Sequence, residues 1–202
     1  MAKKDLRSII RRTIIVWIVS ASLLATVLPA SAQTAGYSLP AGVELVIASP
    51  VEAGVIYAAV GNTVYRSVDS GQTWLTLAAL PSRVTALLPA NRTPALLYAA
   101  TESGGILRSL DGGQAWQPIN QGLGLLPGTI LEVSALSLDP DDDSLIYAAT
   151  GYWLGSTEVH FSPVAILASL DGGANWLGIA ALPLSSQRVI DLAAVAGQPL
   201  TV

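Results

Sequence analysis

Cysteine is absent from the 202 residues. That excludes a disulfide, a thiolate nucleophile or metal ligand, and a lipidated cysteine behind an export leader. Histidine occurs once, at His160, so neither an imidazole metal cluster nor a Ser/His relay has the residues it needs. No metal and no cofactor is therefore expected, and no catalytic residue is assigned. Lysine stops at Lys4. Charged residues make up only 12% of the chain, and the polar positions show no sustained helical period.

The cationic charge that is present gathers at the start. Lys3, Lys4, Arg7, Arg11 and Arg12 precede an uncharged run from Ile14 to Leu28, and Ala30-Ser31-Ala32 follows. This is the layout of a secretory signal, with cleavage before Gln33. Fifteen residues of helix span only about 22 Å, short of a bilayer core of roughly 30 Å. A retained anchor, counted from Thr13 to Ala32, is the rival, and the membrane would then be met only through that segment. Arg11-Arg12 reads as part of a basic leader rather than as a twin-arginine signal. The leader holds five of the ten basic residues and one of the fourteen acidic ones, which leaves five against thirteen beyond it. An acidic surface repels phosphate backbones, so nucleic acid is not an expected partner. The expected location is secreted or extracytoplasmic, periplasmic or at the cell surface, in a bacterium.

Beyond the leader the chain repeats itself. Ser67-Val68-Asp69-Ser70-Gly71-Gln72-Thr73-Trp74, Ser109-Leu110-Asp111-Gly112-Gly113-Gln114-Ala115-Trp116 and Ser169-Leu170-Asp171-Gly172-Gly173-Ala174-Asn175-Trp176 share the pattern Ser-x-Asp-x-Gly-x-x-Trp. Each follows a strand ending in Tyr-Ala-Ala, at residues 57–59, 98–100 and 147–149. Short β-rich runs bounded by Gly, Pro, Asn and Asp predict four strands per unit. They lie over 43–48, 55–60, 63–68 and 73–77; then 83–89, 95–100, 105–110 and 115–119; then 132–138, 144–150, 164–170 and 175–179. Four antiparallel strands repeated at about 40 residues describe a propeller blade. The predicted fold is all-β: a partial β-propeller of three four-stranded blades and the start of a fourth, after an N-terminal signal helix. Residues 1–32 are the signal, 33–42 a linker, 43–79, 80–119 and 120–182 the blades, and 183–202 the incomplete fourth. The third blade carries an insertion at 151–163. Because the last segment, opening at Arg188-Val189, ends inside a repeat, either missing blades or self-association should cover it.

The pattern explains itself as a turn between third and fourth strands. The carboxylates of Asp69, Asp111 and Asp171 accept backbone N–H groups, Ser67, Ser109 and Ser169 add short hydrogen bonds, and Gly71, Gly113 and Gly173 take a positive φ. Trp74, Trp116 and Trp176 cover the turn. These residues resemble the Asp-box, or BNR repeat, of sialidases, xyloglucan-degrading glycoside hydrolases, sortilin-type receptor domains and photosystem II assembly factors. The resemblance runs from about Val43 onward and lies nearer the assembly-factor and sortilin-like propellers than the sialidases. It implies a propeller in which these turns sit at the blade periphery, away from any active site.

A sialidase would need three converging arginines. Arg66 and Arg108 occupy one repeat frame, Arg83 and Arg188 another, and only Arg92 stands alone, so a structural ring is the better reading, although the inner-strand pair could line a channel mouth. A glycosidase of the xyloglucanase type needs two opposed carboxylates. Glu44, Glu52, Glu102, Glu132, Glu158 and Asp191 are the candidates outside the turns, and the sequence pairs none of them. Asp139-Pro140-Asp141-Asp142-Asp143 has Ser144 and Thr150 where a calcium loop needs Gly and Glu, and reads as a solvated turn. Two connections are long, 120–131 and 151–163, and propeller connectivity puts both on one face. Asn120, Gln121, Tyr152, Trp153, Glu158, His160 and Phe161 are the binding residues this points to. The expected function is a non-catalytic scaffold that binds a protein or glycan partner; the alternative is a fragment of an Asp-box glycoside hydrolase that lacks its catalytic residues.

Overall fold

The computed structural model describes residues 39–124, 130–154, 160–181, 189 and 191–195. The expected signal helix, most of the linker and most of the segment from 183 onward lie outside these residues, as does Glu158.

Among the described residues, twelve strands form three four-stranded antiparallel sheets. The first contains β1 (Leu45–Ala48), β2 (Ile56–Val60), β3 (Thr63–Ser67) and β4 (Leu75–Thr76). The second contains β5 (Val84–Pro89), β6 (Leu97–Thr101), β7 (Gly105–Ser109) and β8 (Gln117–Pro118). The third contains β9 (Ile130–Leu138), β10 (Ile146–Leu154), β11 (His160–Ser169) and β12 (Leu177–Ala181). Strand order within each sheet follows the chain, and β1, β5 and β9 are the neighbouring inner strands of successive sheets. Among the described residues there is no helix. This is a partial β-propeller.

The Tyr-Ala-Ala strand is second in each sheet, and in the middle sheet neighbours on both faces bury it. Successive side chains on a strand point to opposite faces. Tyr57 and Ala59 join Leu97 and Ala99 in the core between the first two sheets. Tyr98 and Ala100 join Ile146 and Ala148 in the core between the second and third. The Tyr and second Ala therefore face forward, and the preceding Leu or Ile and first Ala face back. Small residues fit β6 because the first and third sheets press on it from opposite faces.

A second contact ties each sheet to the next. Arg108 Nη1 donates to the carbonyl of Gly172 at 3.0 Å, and Tyr98 Oη donates to the carbonyl of Asp143 at 3.2 Å. Arg66 lies over the Tyr57 ring, 5.9 Å from its centroid, and pairs with Glu52 at 3.4 Å. Both stand against Gly112, where a Cβ would meet Arg66 Nη1 at 3.7 Å and Tyr57 Oη at 3.8 Å. The third sheet has Ala168 at the arginine position and a half-buried Tyr147. The first sheet has Ser70, at φ 59°, where the others have Gly112 and Gly172. Asp143 also departs from a solvated turn: it is buried, and its carboxylate accepts the N–H of Asn91 at 2.7 Å and that of Arg92 at 3.1 Å.

Two expectations change. Residues 151–163 are not a loop inserted between short strands. β10 runs on to Leu154 and β11 starts at His160, with Gly151 opposite Pro163, Tyr152 opposite Ser162, Trp153 opposite Phe161 and Leu154 opposite His160. β9 lengthens with them, so the extra residues build a taller hairpin with its own inner strand. A register shift at Thr150/Gly151 accommodates the change. In the segment read as opening a fourth unit, residues 191–195 form no strand. Ala194 N–H donates to Ser137 Oγ at 3.1 Å, so the segment lies on β9.

The three Ser-x-Asp-x-Gly-x-x-Trp turns share one construction. In each, the serine hydroxyl donates to the aspartate, at 2.7, 2.8 and 2.8 Å. The same oxygen accepts the glycine N–H two residues past that aspartate, at 2.8 Å in all three. The aspartate accepts the N–H of Thr73, Ala115 or Asn175 at 2.9 Å. The serines are buried, at 0–1% exposure, whereas the aspartate bonds lie at the surface. The serine, not the aspartate, is thus the buried acceptor. The tryptophans differ. Trp74 Nε1 donates to Gly71 at 3.2 Å, Trp116 Nε1 is buried without a partner, and Trp176 Nε1 reaches the carbonyl of Ile119, at the end of the second sheet, at 2.7 Å.

Replacing Ser109 by Ala strands the buried Gly113 N–H and should cost about 1–3 kcal/mol in denaturant unfolding. Asp111→Ala, which returns exposed N–H groups to water, should cost less; the reverse order would contradict this account of the turn. The pH dependence has a defined sign. The Thr73 hydroxyl, then its N–H and the Ser67 hydroxyl, bring the Asp69 carboxyl from 3.8 down to about 2. The Asn175 amide, then its N–H and the Ser169 hydroxyl, do the same for Asp171. Asp111 is lowered mainly by the Ala115 N–H, with no side-chain donor at position 115. Folded-state values below the unfolded value give a stabilisation that is present above about pH 4 and is lost as pH falls toward about 2. Asp69→Asn combined with Asp171→Asn should flatten the fall in melting temperature across that window, and an unchanged slope would sink this explanation.

Candidate functional site

The two ends of the sheets differ. At one end, the turn N–H groups of Ser70, Gly112 and Gly172 donate to Gly54, Ala95 and Ser144, which fastens each third turn to the first hairpin of its own sheet. At the other end lie the β2–β3 and β6–β7 hairpins and the connections between sheets. There Asn62 Nδ2 donates to Leu80 at 3.0 Å and Ser103 N–H to Ser82 Oγ at 3.0 Å. The tall third hairpin rises at this second end.

A cleft of about 200 Å³ opens there, lined by Glu44, Arg83, Glu102, Glu132 and Trp153 together with residues of β1 and β5. Each side chain arrives from a different element. Glu44 precedes β1, Arg83 precedes β5, Glu102 starts the β6–β7 turn, Glu132 lies on β9 and Trp153 on β10. The register also makes Arg83 and Glu132 equivalent. Val84 pairs with Thr101 and Val133 with Thr150, and each inner strand then bulges by one residue, Thr85 or Ser134. Thr85 uses its displaced position to donate to the Val133 carbonyl at 2.7 Å, which ties the two inner strands together below the cleft.

The charges are mutually engaged. Arg83 Nε donates to Glu44 Oε2 at 3.0 Å, and its Nη1 lies 3.6 Å from Glu102 Oε1. Glu44 is the main reason the guanidinium is held still more firmly protonated. Glu132 is 1% exposed and accepts a hydrogen bond from the indole N–H of Trp153. Register explains this contact. Gly151 stands opposite Glu132 and Trp153 opposite Ile130, so Glu132 and Trp153 are diagonal neighbours on one face. Position 151 offers no side chain to block the indole from lying across. Trp153 keeps 37% of its surface exposed toward the cleft.

The residues singled out from sequence separate into groups. Trp153 lines the cleft. Tyr152 points the other way, packs against the core between the second and third sheets, and donates its hydroxyl to the carbonyl of Gly124. Asn120 is engaged in a hairpin: its Oδ1 accepts the Ile106 N–H at 2.8 Å and its Nδ2 donates to Gly104 at 3.0 Å. Gln121 receives the Trp176 N–H on its carbonyl at 3.0 Å. His160 and Phe161 sit in β11 opposite Leu154 and Trp153. Arg83, Glu44, Glu102 and Glu132 were not among the binding residues picked. The three glutamates stand instead among the carboxylate candidates of the hydrolase alternative, and Arg83 in the inner-strand pair that could line a channel mouth. Among the described residues, no group of His, Asp and Glu is placed to hold a metal ion.

No family model matches the chain. In sequence it is similar to a xyloglucanase of Hypocrea jecorina (strain QM6a), with 35% identity over 86 residues, 42% of this chain and 10% of that protein. In structure it is similar to an ancestral GH74 enzyme, with a TM-score of 0.57 at 22% identity over 73% of this chain and 19% of the other. It is also similar to the GH74 xyloglucanase from Xanthomonas campestris, with a TM-score of 0.50 at 18% identity over 71% and 24%. The chain thus spans between a tenth and a quarter of these proteins, and the structural likeness is one of fold.

The indole–carboxylate contact can be read spectroscopically. Glu132→Ala removes the acceptor and should shift Trp153 emission to the red, measured as the difference from the same background carrying Trp153→Phe. Glu132→Gln retains an acceptor and should shift it less. Identical difference spectra for all three would show that Glu132 does not hold the ring.

Proposed function

We propose that this chain is an exported Asp-box propeller segment that binds a glycan in the cleft at the inner-strand mouth and is not itself catalytic. The observation that carries the reading is the half-exposed indole of Trp153, held by a buried carboxylate at the edge of a cleft with charged walls. A flat aromatic face covers the apolar face of a sugar ring, and charged groups around it fix orientation. The sequence likeness to a xyloglucanase favours a glycan over a protein partner. The basic leader and apolar run support export to an extracytoplasmic location, with the membrane reached only if the leader is retained. The shared Ser-Asp-Gly-Trp turns support the Asp-box assignment.

The state of the carboxylates argues against hydrolysis by this segment. Glycosidases need one carboxyl placed as acid and an opposed one as base or nucleophile. In the cleft, Glu44 and Glu102 both lean on a single guanidinium, and Glu132 is committed to Trp153. One observation favours a second reading: the matched region is only a tenth of the xyloglucanase, so the chain would be a hydrolase portion whose catalytic carboxylates lie on other blades.

Affinity electrophoresis of the full chain through gels containing soluble polysaccharides, run alongside assays for released reducing ends, tests both. Retention that Trp153→Ala abolishes, without product, is the expected outcome. Turnover at ordinary glycosidase rates would defeat the non-catalytic reading, and passage unretarded through every polysaccharide would defeat the glycan one.

A further inference from the structure

We infer that a second copy of this chain docks the back face of its first sheet on the forward face of the third, and that the reciprocal contact closes a ring of six sheets from two chains. The two faces are unmatched halves of a contact that the chain makes twice within itself. Forward positions are filled in the first two sheets: Tyr57, Val64 and Leu77, and then Tyr98, Ile106 and Ile119, are at most 9% exposed. Their counterparts in the third sheet, Tyr147, Ile166 and Ile179, are only half-buried. Back positions show the reverse order. Val46, Leu87 and Leu136 each pair with the first Ala of a Tyr-Ala-Ala strand. Leu87 and Leu136 are 5% exposed, whereas Val46 is 55% exposed. Leu97 and Ile146 are buried, whereas their counterpart Ile56 is half-buried.

The contact within the chain is a knob in a hollow. A Cβ on Gly113 would strike Leu77 of the first sheet, and one on Gly173 would strike Ile119 of the second, so each glycine is a hollow that the preceding sheet fills. Leu77, Ile119 and Ile179 each stand three residues past the tryptophan of their turn, which makes Ile179 the third knob. Gly71 is the third hollow. Among the described residues, a Cβ there would meet only its own sheet, Trp74 at 3.7 Å and Ile56 at 3.9 Å. The two open faces also depart from the pattern in matching ways. The third sheet has Ala168 where the others send an arginine to the next turn, and the first sheet has Ser70 where the others have a glycine to receive it. One face loses side-chain volume and the other gains it. Propellers close with about four to eight blades. Head-to-tail contacts make a ring where the rotation closes and a filament where it does not. Two copies supply six sheets, within that range, and three would supply nine. Docking displaces residues 191–195, which rest on β9 through the Ala194 N–H at Ser137 Oγ.

The absence of cysteine lets the contact be trapped in an otherwise unaltered chain. Ile179→Cys and Ile56→Cys are placed in separate full chains, with circular dichroism confirming each fold. The corresponding pair within the chain, Leu77 and Leu97, both approach the same point beside Gly113. Mixing the two variants under mild oxidation should give a disulfide-linked dimer. Either variant alone should give about tenfold less, since a head-to-tail contact does not bring a position against itself. A chain carrying both substitutions should stop at a covalent dimer. Sedimentation of the unaltered chain should show a dimer, and Val46→Glu, at an exposed position, should weaken it about tenfold or more. A monomer at the highest soluble concentration, or equal linkage in mixed and unmixed samples, would overturn the inference. A ladder of multimers from the doubly substituted chain would mean open growth and would overturn the closed ring.

Discussion

The packing of these sheets depends on the second strand of each, which meets a neighbouring sheet on one face in the outer two and on both in the middle one. β6 has a sheet against each face, β2 one ahead and β10 one behind, and a strand so packed can carry little more than a methyl where two backbones approach. Hence the Ala pairs at 58–59, 99–100 and 148–149, each nearly or fully buried. The tyrosine beside them supplies bulk to one interface only, the forward one, and the arginine on the next strand reaches past it to the following turn. The glycine directly after the aspartate, Gly112 or Gly172, leaves room for that arginine. Where no arginine arrives, at Ser70, the glycine is replaced, and where none departs, at Ala168, no following sheet stands against Tyr147 among the described residues. Three features that look unrelated along the chain are thus one contact counted from different ends.

The turns exploit a division of labour between two oxygens. The serine hydroxyl is inside, so its bond to the glycine N–H has no competition from water; the aspartate is outside, where it gathers exposed N–H groups and pays a small desolvation cost. Because all three turns occupy the same end of their sheets, that end is committed to holding sheets together. Asp143, clamped on Asn91 and Arg92, belongs to the same work. The opposite end is where the third hairpin could grow taller without disturbing the packing, and it is where the charged cleft lies.

Much of the architecture was legible in sequence because it repeats. The turn motif and the Tyr-Ala-Ala strand recur at fixed offsets, and repetition at fixed offsets marks stacked units. The third hairpin was misread for a local reason. Gly151 and Pro163 carry the usual marks of a strand end, yet they face each other at a register shift that lets the ladder resume beyond them. The cleft was harder still. Trp153 stood out as an aromatic in a long connection, but its partner Glu132 is 21 residues away and meets it only through register and a missing side chain at 151. Arg83, Glu44 and Glu102 come from three separate stretches, and no spacing along one strand announces that their tips converge.

Convergence of that kind makes the cleft a reporter on inter-sheet geometry. Its walls belong to all three sheets: Glu44 to the first, Arg83 and Glu102 to the second, Glu132 and Trp153 to the third. No one sheet could form it, and a small rotation between neighbours would pull Arg83 from Glu44 before it disturbed either core, since ion-pair geometry is lost over shorter displacements than apolar contact. The bulge that sends Thr85 to the Val133 carbonyl lies directly under this meeting point and fixes β5 against β9. The site's precision is therefore not set where its side chains are. It is set by a hydroxyl on the inner strand and by the tyrosine and arginine contacts at the far end of the sheets, which together leave the second and third sheets one way to sit.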